Sequence, residues 1–196
     1  MQGPFVMKIG GSLIDHVPGI ARALLASPCA ALIIPGGGPF ANIVRTFHAP
    51  DHESHWMAIL GMEQYGWYIA SFGISTIPRL QVPCAPTVLL PYALMLKEDP
   101  LPHHWDITSD TIAAWAAYRL GLDLVVLKSV EGITKEGTLL EQVNTPIACD
   151  EVDPGFIQFV LEHSVRTLLI DGRKRERLQS LLRGETVAGT RIGTTF

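Results

Sequence analysis

Lys8 stands near the end of a short apolar run, Phe5-Val6-Met7-Lys8-Ile9, and Gly10-Gly11-Ser12 follow at once. An ammonium is costly to bury in a strand unless it meets an anion. Glycines let the backbone approach such an anion and turn N–H groups toward it, and the Ser12 hydroxyl adds a donor. A second strand-like run, Ala31-Leu32-Ile33-Ile34-Pro35, leads into Gly36-Gly37-Gly38, after which Phe40, Ile43, Val44 and Phe47 recur at helical spacing. Strand, glycine loop and helix N-terminus in that order make a ready anion site. The alternative is a surface lysine at a sheet edge before an ordinary turn, over which the motif alone favours phosphate binding only modestly. Two such loops near the start of one chain suggest two phosphates facing each other, one on a nucleotide and one on an acceptor.

The second half repeats the pattern. Asp123 to Leu127 is strongly apolar after its first residue and ends at Lys128, a second lysine at a strand end. Ser129 to Gly137 follows as a loop containing Glu131, Gly132 and Lys135. Asp106 and Asp110 bracket the start of an alanine-rich segment for which Thr108 or Ser109 is a credible N-cap. Asp110 either complements the helix dipole in the first turn or, with Asp106, sits near the phosphates and orients the lysines. His48, His52 and His55 have spacings that share a helical face. Without an H-E-x-x-H motif they read as solvent or substrate contacts, and no metal site is expected.

These groups need elements to hold them. Helices are expected over Ile20–Leu25, Pro39–Thr46, His52–Ser71 with Asp51 as N-cap, Ser109–Leu120, Asp153–Ser164 and the basic amphipathic stretch Arg173–Leu182, whose charges read as a solvated face. Strands are expected over Phe5–Ile9, Ala30–Pro35, Ile74–Ile77, Thr87–Leu90, Asp123–Leu127, Thr167–Ile170 and Thr186–Ile192, with Leu94–Leu96 a further short apolar piece. Strands alternating with helices, without internal repeats, predict a three-layer α/β/α sandwich on a mainly parallel sheet, with ligands at the carboxyl ends of the strands.

Composition narrows the function classes. The 196 residues suit one domain, 47% hydrophobic and 17% charged residues describe a compact soluble protein, and a net charge of −4 argues against a general nucleic-acid binder. No run suits a bilayer span and the chain enters a strand almost at once, so no signal peptide or membrane association is expected. Cys29, Cys84 and Cys149 are widely spaced, which predicts reduced cysteines in a cytoplasmic protein.

Five stretches, in order and spacing, resemble the amino acid kinase family, which includes acetylglutamate, aspartate, uridylate and isopentenyl phosphate kinases. They are Lys8-Ile9-Gly10-Gly11-Ser12, Pro35-Gly36-Gly37-Gly38, Ser109-Asp110 before Ile112-Ala113-Ala114, Leu127-Lys128-Ser129-Val130-Glu131-Gly132-Ile133, and Ala188-Gly189-Thr190-Arg191-Ile192. Within it, His55-Trp56-Met57-Ala58, Gln64-Tyr65-Gly66 and Trp105-Asp106-Ile107-Thr108-Ser109-Asp110 resemble an archaeal branch serving methanofuran biosynthesis. The resemblance implies ATP with Mg²⁺ as donor and a phosphate monoester as acceptor, on this branch [5-(aminomethyl)furan-3-yl]methyl phosphate. It implies that Lys8 bridges the two phosphates, that Gly10, Gly11 and Ser12 lie along the nucleotide, and that Gly37 and Gly38 hold the acceptor's anionic group. Asp110 would orient the lysines. Asn42, His55 and Asp106 would face the acceptor, Asp106 attracting its ammonium. Ser129, Gly132 and Lys135 would bracket the nucleotide, with either Lys128 or Lys135 supplying the second catalytic charge. It further implies a homo-oligomer and a single domain over 1–196, its acceptor site mainly in 1–105 and its nucleotide site mainly in 106–196.

Such a reaction needs alignment and charge neutralisation more than a base, because a phosphate monoester already offers a nucleophilic oxygen. Two rivals stand beside it. Gly36-Gly37-Gly38-Pro39-Phe40-Ala41 fits the dinucleotide fingerprint G-x-G-x-x-A, but no acidic residue ends a clear strand about 20 residues on. A non-catalytic nucleotide-binding or storage protein on the kinase fold is the other. A kinase for another small phosphate, such as isopentenyl phosphate or uridylate, remains open. The P-loop signature is absent.

Overall fold

A computed structural model describes residues 3–193. Its centre is an eight-stranded sheet in the order β3-β4-β2-β1-β5-β9-β10-β8. The strands are β1 (Phe5–Ile9), β2 (Ala31–Pro35), β3 (Ser75–Ile77), β4 (Thr87–Leu89), β5 (Asp123–Lys128), β8 (Gln142–Val143), β9 (Thr167–Asp171) and β10 (Thr190–Ile192), while β6 (Thr134–Lys135) and β7 (Thr138–Leu139) form a separate antiparallel hairpin. Neighbours in the main sheet are parallel except β9 and β10. Every residue of β1 and β2 is buried, as expected of strands covered on both faces.

The pleat decides which layer each side chain joins. Phe5, Met7 and Ile9 pack with α1 (Val17–Leu25), α7 (Arg175–Leu182) and the Tyr65–Ile69 part of α3 (Asp51–Ala70). Val6, Leu124 and Val126 pack on the other face with α4 (Tyr92–Glu98), α5 (Ser109–Leu120) and α6 (Phe156–Glu162). Lys8 has the parity of Val6, and Lys128 that of Val126, so both ammoniums fall on the α5 side. Ala113, Ala114, Ala116 and Ala117 of α5 are fully buried or nearly so, and their small size brings the helix close to the sheet.

The chain runs outward from β1 through β2 in one direction and begins again at β5 on β1's other side. This reversal of strand order opens a crevice at the carboxyl ends of β1 and β5, where ligands bind in open α/β sheets. The loop after β2 enters α2 (Gly38–Thr46) beside it.

The elements match the expected ones with instructive departures. Residues Gly11–His16 form a 3-10 turn that runs into α1. Asp51 is the first residue of α3, after an extended Pro50, and complements the helix dipole without capping through its side chain. Tyr92–Glu98 is a helix, because Pro91 stands at its N-cap, where a missing N–H costs nothing. The Ser129–Gly137 loop contains the β6 strand. Helix α6 begins at Phe156, not Asp153, whose carboxylate is bonded to α5 instead. Helix α7 begins at Arg175, because Arg173 is held by the Asp171 carboxylate through its backbone N–H and guanidinium.

Candidate active site

Lys8 Nζ lies 2.5 Å from Asp110 Oδ1, and Lys128 Nζ lies 2.7 Å from Asp110 Oδ2. Lys8 and Asp110 are each only 3% exposed, so this is a buried charge cluster at the mouth of the sheet. Burial pulls the Lys8 ammonium down to about 8, Asp110 opposing and Lys128 adding to the fall. Burial alone would raise Asp110, but the Lys8 and Lys128 ammoniums outweigh it and hold the carboxyl at about 2. Two ammoniums share this one carboxylate, and both lysine side chains line the crevice.

The crevice is a cavity of about 490 Å³. Lys8, Lys128 and the starts of three helical segments line it: Gly11 and Ser12, Gly38 and Pro39, and Thr108 and Ser109. The first N–H groups of a helix have no partner within it, so the first two segments present donors and positive dipole ends, while at the third the Asp153 carboxylate takes the Thr108 and Thr111 N–H groups. The first two loops touch. A Cβ on Gly11 would lie 2.3 Å from the Gly38 backbone, and Gly38 has φ +56, so both positions demand glycine. Tyr65, fully buried on α3, donates its hydroxyl to Gly10 O at 3.2 Å and braces the first loop. Ser12 Oγ and Ser129 Oγ are 2.9 Å apart, closing the crevice between β1 and β5. The donor set fits phosphates. Among the described residues no group of three His, Cys, Asp or Glu side chains is placed to hold a metal ion, so a magnesium ion here would ride mainly on nucleotide phosphates.

The far end of the cavity is mixed. Ala58, Ile59, Met62 and Ile112 supply an apolar wall, and the Arg45 guanidinium stacks 4.2 Å above the Trp105 ring. His55 stacks on His103 at 4.1 Å, and burial, with His103 adding, pushes it down to about 4, so it faces the cavity as a neutral imidazole. The buried Nδ1 of His104 has no hydrogen-bond partner among the described residues. His103 bonds Asp99 through Nε2 and His52 through Nδ1, which fixes the ring on which His55 rests.

Of the residues singled out from sequence, Lys8, Gly10, Gly11, Ser12, Gly37, Gly38, Asn42, His55 and Lys128 line this cavity, and Asp110 holds its lysines. Ser129 adjoins it through Ser12. Gly132 is buried against Thr190 and Leu139, where a Cβ would lie 2.5 Å and 2.6 Å from their side chains. Lys135 is exposed on the β6 hairpin, outside the lining. Asp106 is exposed and also outside it, its carboxylate 3.6 Å from His104. The Asp carboxylate that does line the mouth is Asp51. Sequence reasoning missed Asp51, Arg45, Trp105, His104 and Tyr65 as site residues. Asp51, which reads from sequence as a cap, opens the histidine-bearing helix, and Tyr65 and Trp105 stand in stretches that carry the resemblance without a role of their own.

No family model matches the chain. It is 28% identical, over 95% of its length and 96% of the relative's, to [5-(aminomethyl)furan-3-yl]methyl phosphate kinase of Methanocaldococcus jannaschii. UMP kinase from Ureaplasma parvum superposes with a TM-score of 0.73 at 13% identity, covering 99% of this chain and all of that one. An isopentenyl phosphate kinase superposes at 0.64 with 18% identity, covering 96% and 100%. The chain has the amino acid kinase fold, and the resemblance read from its motifs is borne out. The relative and these neighbours are all kinases, in agreement with the phosphotransferase class read from the sequence. No helix among the described residues is long and apolar enough to cross a membrane.

Proposed function

We propose that this protein is an ATP-dependent kinase that adds a phosphoryl group to a phosphate monoester, namely [5-(aminomethyl)furan-3-yl]methyl phosphate. The observation that carries the reading is the pair of lysines fixed on one buried carboxylate beneath three converging helix starts. An oxygen of the acceptor phosphate attacks the γ-phosphorus of ATP, the bond to the β,γ-bridging oxygen breaks, and ADP leaves with that oxygen. The acceptor needs no base, since a phosphate monoester is largely dianionic near neutrality. Lys8 bridges the two phosphates, Lys128 is the second charge, and Asp110 orients both. The two lysines and the helix N–H groups neutralise charge on the transferring group, which is most of what this reaction requires. Gly10, Gly11, Ser12 and Ser129 take the nucleotide phosphates, with Lys135 near the nucleotide, and Mg²⁺ accompanies ATP. Gly37, Gly38 and Asn42 hold the acceptor phosphate.

The acceptor's ring lies between the Arg45–Trp105 stack and the neutral His55. Its ammonium pairs with Asp51, which lines the cavity where Asp106 does not. In this reading the acceptor groups come mainly from residues before Asp106. A homo-oligomer is part of the proposal, supported by the exposed Ile43 and Phe47 on α2 and Leu60 and Trp67 on α3.

The test is ADP release from Mg-ATP with the aminomethylfuran phosphate, isopentenyl phosphate and UMP offered separately. Turnover confined to the furan supports the acceptor assignment. Turnover of another phosphate keeps the kinase and replaces the acceptor. No turnover with any of them, despite ATP binding, refutes this reading and favours a storage role.

A further inference from the structure

Helix α5 has an unusual cap. Its N-cap residue Thr108 makes no side-chain capping bond to its own helix. Asp153, from the turn before α6, does the capping across the fold. Its Oδ2 accepts from the Thr108 N–H at 3.0 Å, the Thr108 hydroxyl at 2.8 Å and the Thr111 N–H at 3.1 Å, and its Oδ1 accepts from the Thr111 hydroxyl at 2.5 Å. Asp153 is 7% exposed and Thr111 fully buried, so the two bonds to Thr111 are made away from solvent, while those to Thr108 are half-buried at the cavity wall.

Asp110 sits inside this clamp, next to Thr111. The backbone N–H of Asp153 donates to Asp110 Oδ2 at 3.3 Å, the same oxygen that accepts from Lys128. Two residues on, the Gly155 N–H donates to Asp106 O at 3.0 Å. One short turn therefore holds both the carboxylate that grips the lysines and the 106–108 backbone that borders the acceptor end of the cavity. We propose that Asp153 is a positioning residue for phosphoryl transfer: through its clamp on the start of α5 and through its own backbone N–H it fixes the Asp110 carboxylate that grips both lysines.

Lys8 on β1 and Lys128 on β5 grip Asp110 on α5, and Asp153 reaches that carboxylate through its backbone N–H while its own carboxylate stays on the Thr108 and Thr111 donors. Burial and the neighbouring Asp110 push the Asp153 carboxyl upward, against the Thr111 and Thr108 bonds, so its ionised form is held at a cost. Asp153 also raises Lys8, which burial otherwise depresses. Four donors fall on the two Asp153 oxygens, which a carboxylate accepts and an asparagine amide, with one acceptor oxygen, cannot.

The inference rests on the proposed reaction for the role of Lys8, but its test has a readout independent of turnover. The full chain is compared with Asp153→Asn, Asp153→Glu and Thr111→Val by kinetics with Mg-ATP and by an NMR titration of the ¹⁵N-labelled Lys8 ammonium. Asp153→Asn, folded by circular dichroism, is expected to lose about a hundredfold in kcat, the scale of a misplaced catalytic group. KM for ATP is expected to stay within about twofold, since ground-state binding is not touched. The Lys8 titration is expected to fall below its starting value of about 8, with Asp153→Glu restoring part of it. A folded Asp153→Asn with unchanged kcat and unchanged Lys8 titration overturns the proposal. Should Asp153→Asn fail to fold, Thr111→Val decides: lowered kcat at unchanged KM supports it, and unchanged kcat overturns it. If the wild type turns over no phosphate acceptor, the kinase reading fails, and the Lys8 titration alone still decides whether Asp153 holds Asp110 against Lys8.

Discussion

Replacing Asp110 by asparagine tests the arrangement at its centre. The amide keeps the size of the side chain but removes the charge that both lysines grip, at 2.5 Å and 2.7 Å. Leaving a buried charge without its partner costs roughly 3–5 kcal/mol. Lys8 has a cheaper way out, because its ammonium already stands at about 8 and Asp110 is the strongest influence opposing burial. Each further unit of fall costs about 1.4 kcal/mol, so shedding the proton near neutral pH is the smaller penalty. The variant should therefore fold with Lys8 neutral at pH 7. Losing a preorganised charge opposite the transition state removes roughly a hundredfold to a thousandfold of kcat. Steady-state ADP release at saturating ATP and acceptor measures this, repeated from pH 8 down to 6. Residual activity should rise as the pH falls and Lys8 regains its proton. A folded Asp110→Asn enzyme with near-normal kcat and a wild-type pH profile would refute the reasoning.

Other perturbations read other parts of the site. In the wild type, kcat/KM should fall as the pH rises through about 8, where Lys8 loses its charge, and a flat profile to pH 10 would count against a charged Lys8. Gly11→Ala should abolish turnover and lower stability, since its Cβ would lie 2.3 Å from the Gly38 backbone; an alanine enzyme of normal activity and melting temperature would show that the loops do not meet. Asp51→Asn should raise KM for an amine-bearing acceptor and leave that for ATP, while Asp106→Asn should change neither; the reverse pattern would return the ammonium to Asp106. Asp110 is held at about 2 against 3.8 in the unfolded chain, so its contribution is complete above about pH 4 and is lost as the pH falls toward 2, about 2 kcal/mol in all. Urea unfolding across that window should lose this much more in the wild type than in Asp110→Asn, and equal losses would contradict the pairing.

Much of this site was legible because it is local. Lys8 and Lys128 each follow a run of buried residues whose alternation is fixed by the pleat, so their side of the sheet follows from their neighbours. Gly37 and Gly38 announce a strand-to-helix turn by residue type alone. What was not legible depends on contacts across the fold. Asp153 belongs to a turn with no pattern of its own, and its partners Thr108 and Thr111 lie more than 40 residues earlier. Sequence reasoning consequently gave Asp153 to the following helix. The Arg45–Trp105 stack joins two segments 60 positions apart, which no spacing rule connects. Asp106 is assigned to the acceptor by the family resemblance, whereas Asp51 reads from sequence only as a cap. The 104–108 loop instead points Asp106 outward, while the first turn of α3 brings Asp51 to the cavity. Lys135 remained an alternative to Lys128 until the β6 hairpin placed it outside the lining.

Phosphorus NMR of the complete reaction tests the central claim most directly, with Mg-ATP, the aminomethylfuran phosphate and either wild-type protein or Lys8→Ala. The account predicts that the acceptor's monoester resonance is replaced by the two coupled resonances of a diphosphate, mole for mole with ADP, and that Lys8→Ala leaves both substrates unchanged. ATP consumed to ADP and inorganic phosphate while the monoester persists, or a Lys8→Ala protein that makes the diphosphate at the wild-type rate, would contradict it.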